Sequence, residues 1–305
     1  MYKIVKILGR GSFGQVYVVR KFSSSPSSKN YALKKISIYN IRAKEKSLLI
    51  NEIRILKYCK CPYILKFIDF VYNGTNIDII TPYVRRGDLY NIIKKRRKKF
   101  DETTIWSYFI QACLGIQYLH NNNIIHRDLK SSNILINIAD NLYIADFGSA
   151  KVFNTDISLT QSYIGTPLYF SPEVIKKQEY SFKIDIWALG CILFELITFN
   201  PPFMASNMKS LTNKILTTKF SLNLKLYSTL YSKILLNLVN KIIILEELKR
   251  PNIQQLLSFD EITQHNYLIP YITQKSENIN NFNYKFRNLS NKTWTQLEKI
   301  LNDKL

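Results

Sequence analysis

Asp128, Lys130 and Asn133 share one short run, Ile125-His126-Arg127-Asp128-Leu129-Lys130-Ser131-Ser132-Asn133-Ile134-Leu135. A carboxylate, an ammonium and an amide at that spacing suit phosphoryl transfer. The carboxylate accepts or orients the proton of an attacking hydroxyl. The ammonium offsets charge on a phosphate in transit, and the amide oxygen holds a magnesium ion. Asp146-Phe147-Gly148 follows soon after and offers a further metal-binding carboxylate. Such a centre works by positioning and electrostatics, so other elements must cradle a nucleotide.

The first stretch able to do so is Gly9-Arg10-Gly11-Ser12-Phe13-Gly14-Gln15-Val16. A G-x-G-x-x-G string is ambiguous, because in a dinucleotide-binding turn it opens a helix. Here the run that follows, Val16-Tyr17-Val18-Val19, is β-branched and aromatic, so it opens a strand. That favours a hairpin over a triphosphate, in which the glycines let backbone amides approach phosphate oxygens. Residues 2–9 read as the strand before it. Ser23-Ser24-Ser25-Pro26-Ser27-Ser28 is a polar turn, and Tyr31 to Ile36 is a third strand carrying Ala32, Lys34 and Lys35. Lys34 is the phosphate-anchor candidate, and Lys35 reads as an ordinary exposed strand lysine.

Residues 41–60 have helical periodicity, with Leu48, Ile53 and Leu56 among charged residues, and Glu52 becomes the candidate partner of Lys34 only through the family resemblance described below. Two strands follow, Ile64–Val71 and Ile77–Ile80. Asp101 caps a long helix ending at His120, with Ile105, Phe109, Cys113, Ile116 and Leu119 as its apolar stripe. Ile134–Ile136 and Leu142–Ile144 form a small hairpin that delivers Asp146. The run from Asp185 to Phe194 is apolar all round and reads as a buried central helix. Residues 200–258 read as further helices. From 259 the chain turns Asn-rich, with a short amphipathic helix around Trp294, Leu297 and Leu301.

The chain has 305 residues, 46% hydrophobic and 13% aromatic, enough for one large core or two modest ones. No apolar run reaches the ~18 residues of a membrane span. The N-terminal residues lack the pattern of a signal peptide. Cys59, Cys61, Cys113 and Cys191 form no C-x-x-C pair, which fits a reducing cytosol. Net charge is +21, from 43 Lys plus Arg against 22 Asp plus Glu. That charge fits an acidic partner, and equally a chain simply rich in lysine. No basic stripe interleaved with aromatics marks a specific nucleic-acid site. The block Lys94-Lys95-Arg96-Arg97-Lys98-Lys99 reads either as a targeting or docking patch or as the solvated end of a short helix.

Taken together, H-R-D-L-x-x-x-N at 126–133, D-F-G at 146–148, the glycine loop and Ala32-Leu33-Lys34 resemble the eukaryotic protein kinases, over about residues 3–258. Trp106 to Leu114, Ile164 to Glu173, Asp185 to Cys191 and Asn207-Met208-Lys209 are similar to the NIMA-related serine/threonine kinases. The resemblance implies an α+β, two-lobed fold. An N-lobe at 1–80 would hold a small antiparallel sheet and one helix. A hinge at 81–84 would lead to a helical C-lobe at 85–258 and a tail at 259–305.

By the same resemblance Asp128 is the catalytic base and Lys130 steadies the γ-phosphate. Asn133 and Asp146 bind Mg2+, with Mn2+ as an alternative. ATP is held by Gly9, Gly11, Gly14, Val16, Ala32, Lys34, Glu52, Val84, Asp88 and Leu135. Thr81 takes the gatekeeper position, and Pro82 stands where the family usually has an acidic residue. Asp185 holds the catalytic-loop backbone, Glu173 pairs with Arg250, and Ser171 replaces the alanine of A-P-E. Thr166 bonds the catalytic Asp and Lys. Arg127 pairs with a phosphate on the activation segment, at Ser162 first and Thr160 second, unless backbone carbonyls satisfy it. Lys130 and Thr166 favour Ser/Thr acceptors on protein substrates. A monomer with a transient dimer for trans-autophosphorylation is expected. The expected location is the cytoplasm, with the nucleus and microtubule-organising structures as further options, and a microtubule or other acidic partner is compatible with the charge. The rival class is a catalytically dead scaffold of the same fold, which a gap in the set of catalytic residues would reveal.

Overall fold

A computed structural model describes residues 2–11, 14–22, 29–39, 41–152, 167–217 and 224–265. They fall into two compact units. One holds residues up to 60 together with 65–84, and the other holds 61–64 together with 85–265. The architecture is α+β, with a small antiparallel sheet and one helix in the first unit and a mostly helical second unit.

The first unit contains β1 (Tyr2–Gly11), β2 (Gly14–Lys21), β3 (Asn30–Ser37), α1 (Ala43–Tyr58), β4 (Asp69–Tyr72) and β5 (Asn76–Pro82). Its sheet runs β1-β2-β3-β5-β4, with every neighbour antiparallel. Val16 opposes Lys34, which opposes Ile79, and Val18 opposes Ala32, which opposes Thr81. Opposed residues share a face, and so do alternate ones. Val16, Ala32, Lys34 and Thr81 therefore lie on one face of the sheet. The other face packs Val19, Leu33 and Ile80 with Tyr2, Tyr17 and Tyr31. Gly14 is needed for packing, since a Cβ there would lie 1.9 Å from the Lys35 carbonyl oxygen.

Two expectations need correction in this unit. The strand expected over Ile64–Val71 is only Asp69–Tyr72. Ile64 instead bridges Ile144 and belongs to the second unit, while the Ile68 amide donates to Ile80 O at 3.0 Å. One continuous apolar run thus serves two cores, and its composition does not mark the change of partner. Lys35 is half-buried, its ammonium 5.8 Å from the Tyr17 ring centroid, and it opposes Asp78 in the register. Burial pushes the Asp78 carboxyl up, and Lys35 partly offsets this.

The second unit opens with α2 (Leu89–Lys95) and α3 (Glu102–Asn121). Then come β6 (Ile124–Ile125), β7 (Ile134–Ile136), β8 (Leu142–Ile144) and β9 (Lys151–Val152). β7 and β8 form the expected hairpin, and β6 pairs with β9. The helices α4 (Pro172–Ile175), α5 (Lys183–Thr198), α6 (Met208–Thr217), α7 (Leu224–Tyr227), α8 (Lys233–Ile242), α9 (Ile253–Leu257) and α10 (Asp260–Thr263) complete it. Asp101 caps α3 by accepting from the Thr104 amide at 2.8 Å, and all five residues of the expected stripe are buried. Helix α5 is buried on nearly every side, and its Trp187 ring stacks on Phe203. Gly190 on α5 lets Ile242 and Ile243 approach, because a Cβ there would meet them at 2.8 and 2.7 Å.

Glu173 and Arg250 form the expected pair, bidentate at 2.7 and 3.2 Å. Arg250 is 1% exposed and also donates to the Ile244 and Lys183 carbonyls. A buried guanidinium is tolerable only when its donors are satisfied in this way. The short helix expected around Trp294 lies outside the described residues.

Candidate active site

The run from His126 to Asn133 links β6 to β7, and its backbone is clamped from a distance. Asp185, in the first turn of α5, accepts the His126 amide through Oδ2 at 2.9 Å and the Arg127 amide through Oδ1 at 3.0 Å. Two successive amides converge on one carboxylate because Arg127 has φ 66°, a conformation non-glycine residues rarely hold. His120 Nε2 lies 2.9 Å from Asp185 Oδ2. Burial alone would push the Asp185 carboxyl up, but His120 and His126 hold it below the usual carboxylate range.

His126 is fully buried. Its Nε2–H donates to the Ala145 carbonyl at 3.1 Å, which leaves Nδ1 to accept from the Asp128 amide at 3.4 Å. The imidazole therefore ties the loop to Ala145-Asp146-Phe147, and its ring packs against Phe147. The Ala145 amide donates to Asn133 O at 2.8 Å, a second link between the same segments.

Asp128 is 8% exposed. Its Oδ2 accepts from Lys130 Nζ at 2.7 Å and from Asn133 Nδ2 at 3.2 Å. Asn133 Nδ2 also donates to Asp128 O at 2.8 Å. The amide nitrogen is thus turned to Asp128, and the oxygen is left for a cation. Asp146 has φ 61°, a further left-handed residue at the site. An amide oxygen and a carboxylate are hard oxygen donors, the kind Mg2+ takes alongside phosphate oxygens. The donor chemistry fits magnesium.

A support that the sequence reading missed lies beneath the loop. Glu195 of α5, 2% exposed, accepts from Ser131 Oγ at 3.1 Å and from Tyr169 OH at 2.5 Å. Burial pushes its carboxyl up, against the opposing effect of those donors and of Lys94. The available signal was a carboxylate inside an otherwise apolar helix. A cavity beside Asp128 is lined by Arg127, Tyr169, Ser171, Tyr180 and Asp185. Ser171 Oγ is buried there with no hydrogen-bond partner among the described residues. Arg127 Nε donates to the Ser149 carbonyl at 2.5 Å and Nη1 to Tyr180 OH at 3.4 Å. Thr160, Ser162 and Thr166 lie outside the described residues.

In the first unit, Lys34 Nζ donates to Glu52 Oε1 at 2.7 Å, with Glu52 3% exposed. Glu52 sits in the buried stripe Leu49, Ile53 and Leu56 of α1, so helical spacing turns it away from water. Val16, Ala32 and Val84 are half-buried in the same unit. Gly9 ends a bulged stretch of β1, opposite Val16, and Gly11 opposes Gly14. In the second unit, Leu135 is half-buried on β7 and bridges Asp88 through the backbone. Asp88 caps α2, its Oδ1 accepting from the Asn91 amide and its Oδ2 from Asn91 Nδ2. The structure thus brings Asp128, Lys130 and Asn133 together, links them through the backbone to the Ala145-Asp146 segment, and brings Lys34 together with Glu52.

Residues 2–268 match the family model described as protein kinase domain. Among curated relatives, probable serine/threonine-protein kinase nek3 of Dictyostelium discoideum is 36% identical, over 95% of this chain and 26% of that protein. Serine/threonine-protein kinase Nek6 of Oryza sativa subsp. japonica is 34% identical, over 90% and 49%. Probable serine/threonine-protein kinase nek2 of Dictyostelium discoideum is 34% identical, over 86% and 63%. The chain spans between about a quarter and under two thirds of the length of these relatives. On the matched domain, the chain belongs to the protein kinase family and is similar along most of its length to the NIMA-related (Nek) serine/threonine kinases.

Proposed function

We propose that this chain transfers the γ-phosphoryl group of ATP to serine or threonine hydroxyls of proteins. The observation that carries this reading is the Asp128–Lys130–Asn133 cluster, held from behind by Asp185. Asp128 accepts the proton of the attacking hydroxyl. Lys130, already on the same carboxylate, offsets charge on the transferring group. Asn133 and Asp146 hold Mg2+, or Mn2+ in its place, which neutralises phosphate charge when bound. Lys34, braced by Glu52, anchors the α- and β-phosphates. Gly9, Gly11 and Gly14 cover the phosphates, Val16, Ala32 and Leu135 pack the adenine, and Val84 bonds it through its backbone. Asp88 meets the ribose while capping α2. Residues 1–80, apart from 61–64 which belong to the second unit, are assigned to the N-lobe, 81–84 to the hinge with Thr81 as gatekeeper, and 85–258 to the C-lobe.

The complete set of catalytic residues speaks against a dead scaffold. The test is incorporation of label from γ-labelled ATP into a degenerate peptide library. Label on Ser and Thr is expected, and Lys34→Met should reduce it at least tenfold. Label on Tyr alone, or no loss in Lys34→Met, would overturn the reading.

Ser162, with Thr160 second, is the proposed activating phosphosite. A phosphate there adds about two negative charges that Arg127 and neighbouring cations can bind. Activity should be low at first and rise with autophosphorylation at Ser162, as read by mass spectrometry alongside Ser162→Ala kinetics. Full activity with an unmodified segment would overturn this part.

We further infer a monomer that pairs transiently for trans-autophosphorylation. Its place is the cytoplasm, the nucleus or a microtubule-organising structure, in a cell-cycle, microtubule or ciliary role. The +21 net charge supports an acidic partner such as a microtubule surface. Among the described residues no helix is long and apolar enough to cross a membrane.

A further inference from the structure

The block at 94–99 divides by structure into two sets of cations. Arg96 lies with its guanidinium carbon 4.3 Å from the Phe100 ring centroid, and its Nε donates to the Lys98 carbonyl at 3.2 Å. Lys99 donates to the Thr198 carbonyl at 2.5 Å and sits 4.0 Å from the Phe199 ring centroid, and burial lowers its pKa. Arg96 thus folds back on the segment itself, and Lys99 ties the segment to the C-terminal end of α5. Lys94, Lys95, Arg97 and Lys98 are exposed. No acidic residue occurs between Asp88 and Asp101, and both of those carboxylates are engaged as helix caps. A merely solvated lysine run would need no such anchoring. Fixing the backbone lowers the ordering cost of a bound partner.

The position of the block ties it to the chemistry. Helix α2, which ends in Lys94 and Lys95, packs against the turn Ser131–Asn133 and against β7. That turn carries Asn133 of the catalytic loop and Ser131, the partner of Glu195 and Tyr169. Lys94 is close enough to oppose the upward shift of the Glu195 carboxyl. The cations therefore lie one short helix from the catalytic loop, on the same unit.

We propose that Lys94, Lys95, Arg97 and Lys98 form a docking site for an acidic segment of the protein substrate, at a distance from its phosphoacceptor. This rests on the kinase reading above for its consequence, though not for the binding itself. Four exposed pairs of modest strength add up to a specificity of roughly tenfold or more. Extended chain covers about 3.3 Å per residue, so the spacer length that works best reads out the distance from the acidic run to the acceptor.

Two measurements test this on the full chain. The first is fluorescence anisotropy of a Glu-rich peptide lacking Ser, Thr and Tyr, on the wild type and on the K94A/K95A/R97A/K98A variant, at low and high salt. The second is steady-state kinetics on Ser peptides with an acidic run, or a neutral run, joined by spacers of several lengths. The expected result is at least a tenfold loss of peptide affinity in the variant, erased by high salt. In kinetics, run on K95A/R97A/K98A so that Lys94 beside Glu195 is kept, KM should rise for the acidic peptide alone, with kcat and the neutral peptide unchanged. Equal affinity of the two proteins would overturn the docking site. So would displacement of the peptide by an RNA oligomer of equal charge at equal or lower concentration, which would mark a general polyanion surface. If no peptide is phosphorylated while the affinity loss is observed, the kinase reading fails and the acidic-peptide site stands.

Discussion

Asp128 Oδ2 is shared by an ammonium and an amide, so the side chain is aimed before any substrate arrives. Replacing it with asparagine keeps an oxygen acceptor for Lys130 and Asn133 but removes the base. Asp128→Asn should therefore lower kcat by about 10²–10⁴-fold. Its melting temperature should stay near that of the wild type, because the loop is held by Asp185 and His126 rather than by Asp128. Near-normal turnover would remove Asp128 from the mechanism. The residue types at this centre were legible in sequence because the chemistry dictates them within one loop. His126 was legible only as part of a motif. Its work is to choose one tautomer and link two segments, and that depends on Ala145 coming within 3.1 Å.

Among the elements, α5 is the one that braces the loop carrying Asp128 from two places. It presents Asp185 to the catalytic loop at one end, and further along it carries Glu195, which supports Ser131 and Tyr169. Between them Gly190 meets Ile242 and Ile243. Two effects compete in Gly190→Ala. Alanine gains about 1 kcal/mol of helix propensity over glycine. Overpacking against two β-branched side chains costs about 1–3 kcal/mol. The contact distances below 3 Å favour the second, so we expect net destabilisation, by up to about 2 kcal/mol, in urea melts. Removing the clashing Cγ1, in Gly190→Ala with Ile243→Ala, should cost less than the two single changes added together. A more stable single variant would show that the C-terminal side of α8 yields freely.

At the scale of the molecule, stability in acid should depend on the Asp185 clamp. Its carboxyl titrates below the unfolded value of about 3.9. The unfolded chain then takes up this proton more readily than the folded one. The stabilisation is fully present above the unfolded value and is lost as pH falls through the folded value. Asp185→Asn loses charge-assisted hydrogen bonds worth about 1.5–3 kcal/mol each, so at pH 7 it should be less stable by about 3 kcal/mol or more. The gap between wild type and variant should narrow below about pH 4. A gap that stays constant across the acid range would place the coupling elsewhere. The block at 94–99 belongs to this scale too, because its meaning comes from the helix beneath it rather than from its composition.

The sequence by itself determined that Asp128, Lys130 and Asn133 share one loop, the strand that follows the glycine loop, the β7–β8 hairpin and the apolar faces of α3 and α5. Each is written in residue type and spacing over a short window, where local geometry decides. The tertiary structure alone decided which distant groups complete the site. Arg127 and Asp185 are 58 residues apart, and Ser131 and Glu195 are 64 apart. No periodicity spans such separations, so nothing in residue spacing marked Glu195, and burial with two hydroxyl donors gave it a role. The same limit explains Ile64 and Lys35. An apolar residue can join either of two cores, and a strand lysine can lie on either face of a sheet. Only the packed chain chooses, because burial and hydrogen-bond satisfaction are properties of neighbours in space.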